Sequence, residues 1–292
     1  MKKSITVTLA VIILFSCIGL TAYAKTETLS AKVYVTIADK TGKLVLTQEE
    51  ITVTDTDKDG SLTVNDALYA AHEAKYESGA SAGYAYADTA YGLSLIKLWG
   101  TENGGSYGYC VNNKSALSLA DTVKDGDYIS AYVFTDLTAW SDTYCYFNVN
   151  TAAATAGKEI TLTLSANGYD AAYNPIVVPV EAAVITLNGE KTAFKTDKNG
   201  KVTITVSAAG DYIISAISDT QTLVPPVCKV SVSAAPVTEF EIPITPESEV
   251  KPEAEKSPKT DDSSAYELVS TIMLLSLAVT AILIVGKRKF YE

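Results

Sequence analysis

Apolar residues alternate with mostly polar ones at Val33, Val35 and Ile37, the period of a half-buried strand. A turn is expected at Asp39-Lys40-Thr41-Gly42, then two short β segments over 43–47 and 51–54. At residue 64 the period changes. Val64, Ala67, Leu68 and Ala71 share one face of a helix. A flexible Ala/Gly/Ser loop over 79–83 leads to β segments over 91–100, 104–113 and 128–134, the last entered through Asp125-Gly126-Asp127. A run of Ala, Thr and Gly over 151–157 marks a boundary. Beyond it the alternation returns at 158–164, 177–180, 183–187, 210–216 and 228–232. Residues 194–206 read as a hairpin about Asn199-Gly200. Short strands at this spacing predict a β-sandwich. The expected fold is therefore an α+β head over 32–150, mainly β with one helix, followed by an all-β sandwich over 151–242.

Two apolar stretches have neither period. Lys2-Lys3, the run from Ile5 to Leu20 and Ala22-Tyr23-Ala24 read as a signal peptide over 1–24. Near the other end, residues 268–285 are almost uncharged, close to the roughly 20 residues of a membrane-spanning helix. Lys287-Arg288-Lys289 follows and marks the cytoplasmic side, which puts the rest of the chain outside the cell. A Pro/Glu/Lys linker over 243–256 leads into this segment. The order of polar motif, apolar span and basic tail over 257–292 resembles the cell-wall sorting signal of Gram-positive bacteria. Pro258, Lys259 and Thr260 match its motif, whereas Ser257 and Asp261 stand where that family has Leu and Gly. The resemblance implies sortase as a partner and covalent attachment to the wall. A plain single-pass membrane anchor is the other reading.

A net charge of −11 argues against a nucleic-acid partner and favours cation binding. Eighteen Tyr, against six Phe and two Trp, suit β-rich surface modules. Cys110, Cys145 and Cys228 have no metal or redox spacing. They read as small apolar fillers, with a Cys110–Cys145 pair as the alternative. His72 is the one histidine and is expected at the surface or a boundary. No nucleophile–base motif or phosphate loop is present, so the chain reads as non-enzymatic.

The legible chemistry lies at Asp55-Thr56-Asp57-Lys58-Asp59-Gly60-Ser61-Leu62-Thr63-Val64-Asn65-Asp66. On a twelve-position calcium loop, Asp55, Asp57 and Asp59 take positions 1, 3 and 5, with Gly60 at the sharp turn. Ser61 offers a backbone carbonyl, Thr63 an oxygen at position 9 and Asp66 the closing carboxylate. Clustered carboxylates repel one another without a hard cation, so Ca2+ is the expected cofactor. Thr63-x-x-Asp66 also fits a helix capping box, and the two roles are compatible. Asp rather than Glu at the last position, and a strand rather than a helix entering, resemble dockerin-type loop–helix sites. One such loop in calcium-rich surroundings implies a structural ion.

Further along, "GGSYGYCVNN" and "VKDGDYISAYVF", after strands and a helix, resemble a bacterial domain of unknown function similar to the C-terminal β-domain of transcobalamin and intrinsic factor. That resemblance covers the head. It implies a small-ligand receptor, for a corrinoid or a glycan, as an alternative function. Trp99, Tyr107, Tyr109 and Trp140 then either floor a ligand groove or pack the core. The stretch "TDKNGKVTITVSAAGDYIISA" resembles bacterial Ig-like and transthyretin-like stalk domains. Asp197 and Asn199 within it are better explained by turn chemistry than by a second cation site. The expected function is a surface-displayed, non-catalytic binding or adhesion module with an unknown extracellular ligand. A structural wall or pilus component is the remaining class.

Overall fold

The computed structural model describes residues 29–236 apart from 91, 103 and 105. The signal peptide, the linker, the sorting motif and the apolar span over 268–285 lie outside the described residues. Among those described, no helix is long and apolar enough to cross a membrane.

The first unit begins with β1 (Ser30–Ala38) and β2 (Leu44–Thr54), then α1 (Val64–Lys75) and the short α2 (Ala80–Gly83). A hairpin of β3 (Ala85–Thr89) and β4 (Gly92–Lys97) follows, then β5 (Tyr107–Val111), β6 (Lys114–Ser115) and β7 (Tyr128–Val133). The main sheet runs β2-β1-β7-β5-β6, with β1 and β7 parallel at its centre and the other pairs antiparallel. Val33, Val35 and Ile37 face α1, whose Val64, Ala67, Leu68 and Ala71 complete the core. The alternation read from sequence thus points where expected. The two short β segments of the second strand form one strand of 11 residues. Its register shift lies opposite Val35–Ile37, where Gln48 takes φ +40° and donates its N–H to the Thr36 hydroxyl. In the Tyr-Gly-Tyr motif, Gly108 lies opposite Tyr132, whose ring occupies the space that a Cβ would need.

The second unit contains β8 (Thr143–Phe147), β9 (Thr151–Thr155), β10 (Glu159–Tyr169), β11 (Pro175–Pro179), β12 (Val184–Leu187) and β13 (Glu190–Lys195). It continues with β14 (Lys201–Thr205), β15 (Gly210–Ile217), β16 (Leu223–Val224) and β17 (Cys228–Ser233). One sheet orders β11-β10-β8-β16, with β14 also on β10; the other orders β13-β12-β15-β17-β9. They pack face to face over Phe147, Leu162, Leu164, Ile204, Ile185 and Ile214. This is a sandwich, and the described protein is mainly β.

Two expectations are corrected here. β8, assigned by its position to the head, pairs with β10 and buries Cys145 and Phe147 in the second core. The packing boundary therefore precedes Thr143, and the Ala/Thr run at 151–155 is itself a strand, parallel to β17. The hairpin expected about Asn199-Gly200 is a sheet switch: β13 pairs with β12 and β14 with β10. The turn carries the chain from one layer of the sandwich to the other.

The two units meet through specific contacts. Gln48 donates its side-chain Nε2 to the Val227 carbonyl at 3.2 Å, and Lys229 Nζ donates to the Gln48 carbonyl at 3.0 Å. Tyr144 OH donates to Asn113 Oδ1 at 3.0 Å, while Asn167 Nδ2 donates to the Asn113 carbonyl at 2.9 Å. Ala38, Tyr132 and Val224 form a small apolar cluster at the same junction.

Candidate metal centre

β2 ends at Thr54 and α1 begins at Val64, so the acidic loop bridges a strand end and a helix start. Its far side is fixed to the head. Thr63 forms a β-bridge with Thr122, and the Val123 N–H donates to the Leu62 carbonyl at 2.8 Å. The first free N–H groups of α1, at Val64 and Asn65, reach the carbonyls of Asp121 and Leu119 at 3.0 and 2.8 Å. These are donors that a helix leaves without intrahelical partners.

Within this frame, carboxylate oxygens of Asp55, Asp57 and Asp59 lie within 4.8 Å of one another. The backbone curls around them. Asp59 N–H donates to Asp55 Oδ1 at 3.1 Å, Gly60 N–H to Asp55 Oδ2 at 3.0 Å, and Ser61 N–H to Asp59 Oδ1 at 2.8 Å. Gly60 holds φ +88° at the sharp turn. Burial, and then the charges of Asp66 and Asp59, hold the Asp57 carboxyl above the usual carboxylate range. A cation among these groups would act in the opposite sense. An all-oxygen donor set of this kind suits a hard cation rather than zinc.

The remaining expected ligands divide. Asp66 is completely buried and closes the loop: its Oδ1 accepts the Thr56 N–H at 2.9 Å and its Oδ2 accepts the Thr63 N–H at 3.1 Å. The Thr63 hydroxyl donates to Asp66 Oδ2 at 2.7 Å and accepts the Asp66 N–H at 3.2 Å. The capping box is therefore formed, and the Thr63 hydroxyl is committed to it. Ser61 stays at the turn, half-buried.

No family model matches the chain, and no curated protein matches it. Among solved structures, the N-terminal four Ig domains of Dscam1 isoform 4.44 align at 12% identity over 51% of this chain and 32% of that one, with a TM-score of 0.20. A Bacteroides ovatus mixed-linkage glucan utilization locus protein, SGBP-B, in complex with a mixed-linkage heptasaccharide aligns at 17% identity, covering 52% of this chain and 35% of that one, TM-score 0.22. The D0-D1 domain of intimin aligns at 14% identity over 70% of this chain and 100% of that one, TM-score 0.25. The chain spans about a third of the length of the first two. With overlaps this slight, the fold rests on the strand pairing described above.

Of the four aromatic residues weighed as a ligand floor or as core, three pack against the head core. Trp99, Tyr107 and Tyr109 are half-buried there, and Tyr107 OH reaches the carbonyls of Thr101 and Ile96 at 2.8 and 2.9 Å. Trp140 is 60% exposed, with its Nε1 donating to the Ser106 hydroxyl at 3.2 Å.

His72 overturns its expected surface position. It is completely buried, its Nδ1 lies 2.7 Å from the Leu68 carbonyl, and its Nε2 accepts the Trp99 N–H at 3.0 Å. That pair of partners requires the neutral ring with its proton on Nδ1. Burial pushes its pKa down to about 4, the Leu68 bond acting the other way. Tyr84 and Trp99 pack on it with ring centroids at 5.0 and 5.1 Å. The signal was available: Val64, Leu68 and His72 stand four residues apart, on one helix face. Cys110, Cys145 and Cys228 are buried free thiols, in line with the filler reading and not with a Cys110–Cys145 pair. Burial raises all three, Cys110 to about 12 and Cys228 to about 11.

Proposed function

We propose that this chain is a surface-displayed, non-catalytic binding or adhesion module whose head is stabilised by one calcium ion at Asp55, Asp57 and Asp59. The observation that carries the reading is the convergence of three carboxylates in a turn braced to the core on both sides. Asp66 would complete the site or stabilise its frame; its contacts favour the frame. Display on the outer face of the cell, through sortase and the wall or through the membrane, rests on the sequence of the two terminal segments. Calcium then acts as a permanent clasp between β2 and α1, because an ion that binds the folded loop alone must stabilise it.

Thermal melts of the chain with calcium and with chelator test this. Calcium at about a hundred times its dissociation constant should add about 2.7 kcal/mol. Asp55→Ala should abolish the shift, and an unchanged melting temperature in wild-type protein would overturn the calcium reading.

A further inference from the structure

At Gln48 the hydrogen bonds of the head–sandwich junction do not close. The residue is 6% exposed, and its Nε2 donates to the Val227 carbonyl at 3.2 Å. A carbonyl can only accept, so Oε1 is the end of the amide turned away from it. Among the described residues, Oε1 is the one buried side-chain polar atom without a partner. A buried acceptor left in this way is costly unless something donates to it. Gln48 lines a small cavity between the two units, of about 30 Å³. That volume admits a group the size of a water or a hydroxyl and excludes a ring.

Each unit brings one aromatic ring and one carboxamide to this cavity. Tyr128 and Asn113 come from the head, Tyr146 and Asn150 from the sandwich. All four are half-buried, and neither ring belongs to an apolar cluster of the protein. Asn113 Oδ1 already accepts from Tyr144 OH, which leaves its amide N–H groups as donors. Among the described residues no charged side chain lines the cavity, although the chain carries a net charge of −11. The Lys229 ammonium stands on the Gln48 backbone carbonyl, where it disfavours a second cation nearby. An anion gains nothing at Oε1, which can only accept. What fits is a neutral O–H donor, joined to a body that offers C–H faces to the rings and further hydroxyls to the amides. We propose that the head–sandwich crevice binds a neutral saccharide. One hydroxyl enters the cavity and donates to Gln48 Oε1, while the sugar ring stays outside against Tyr128 and Tyr146. This gives the binding module proposed above a ligand class; it rests on the non-catalytic binding part of that reading and not on the calcium ion.

An array of neutral glucosides, galactosides, mannosides and N-acetylhexosamines, probed with the full chain, tests the proposal. At least one member should bind at millimolar concentration or below. Gln48→Met, which keeps the shape and removes the acceptor, should weaken that binding about tenfold. Tyr146→Ala should do so by a similar factor, and serves where Gln48→Met loosens the junction. Among the monodeoxy analogues of the bound sugar, one should lose about tenfold on the wild type and little on Gln48→Met, because the same hydrogen bond is missing in both. A role of Gln48 in folding alone would not produce that coupling. A blank array, binding undiminished in both folded variants, or a crystal structure with only an ordered water on Oε1 and the sugar elsewhere would overturn the assignment. The same titration in chelator should be unchanged, which separates this result from the fate of the calcium reading.

Discussion

Residues 56–64 read Thr-Asp-Lys-Asp-Gly-Ser-Leu-Thr-Val, and residues 196–204 read Thr-Asp-Lys-Asn-Gly-Lys-Val-Thr-Ile. The first string leaves a strand, gathers three carboxylates and enters a helix; the second leaves a strand and enters another strand in the opposite sheet. In the second, one carboxylate is enough. Asp197 Oδ1 accepts the N–H groups of Asn199 and Lys201 at 2.8 and 2.9 Å, and the backbone closes on itself from Gly200 N–H to the Asp197 carbonyl. In the first, Gly60 N–H turns to the Asp55 side chain, so the chain wraps around charge. The exits differ for a local reason too. Asp66 caps α1, whereas Val206 stands at the matching place, after the β-branched alternation Val202, Ile204. A shared turn signal therefore fixes a turn, and the residues just outside it decide what the turn connects.

The largest contrast is expected at the two glycines. At Gly200, φ is +72° and an added Cβ would lie 2.2 Å from the Leu164 carbonyl oxygen; Gly60 has φ +88° but open space. Gly200→Ala should cost about 4 kcal/mol, with backbone shift, and Gly60→Ala about 1 kcal/mol, as strain alone. Denaturant midpoints measure both, and equal losses would show that φ alone sets the cost.

The aspartates should separate next. Asp66→Ala strands the buried N–H of Thr63, removes the partner of the Thr56 N–H and should cost about 3 kcal/mol. Asp197→Ala, at an exposed turn, should cost about 1 kcal/mol by the same measurement.

Acid divides the regions further, because the one histidine lies in the head. The unfolded chain takes up a proton at His72 near pH 6.5, while the folded chain resists until about pH 4. Stability should therefore fall as pH drops through that window, by about 2 kcal/mol at pH 5. Urea titrations across pH should show this slope, and His72→Phe should remove it.

The smallest effect is the sharpest test of context. Lys195→Asp with Asn199→Asp copies the Asp55–Gly60 pattern into the sandwich. It should bring a calcium-dependent gain below about 0.5 kcal/mol, since no capped helix follows to brace the loop. A gain as large as the one proposed for the head would show that six residues suffice without their frame.

What the chain order alone determined was whatever depends on near neighbours. The alternation at Val33–Ile37, the helix stripe from Val64, the Thr63–Asp66 cap and the spacing of Asp55, Asp57 and Asp59 are set by side chains a few positions apart, and all were readable. Three features waited for the tertiary structure. His72 is buried because the Trp99 backbone, 27 residues away, supplies the partner its Nε2 needs. The strands beside Asp197–Gly200 part company because each pairs with a strand of a different sheet, β13 with β12 and β14 with β10. Thr186 and Ser215 are buried on a sheet face that alternation would have left in water. Each is a meeting of surfaces distant in sequence, and no local period encodes which surfaces meet.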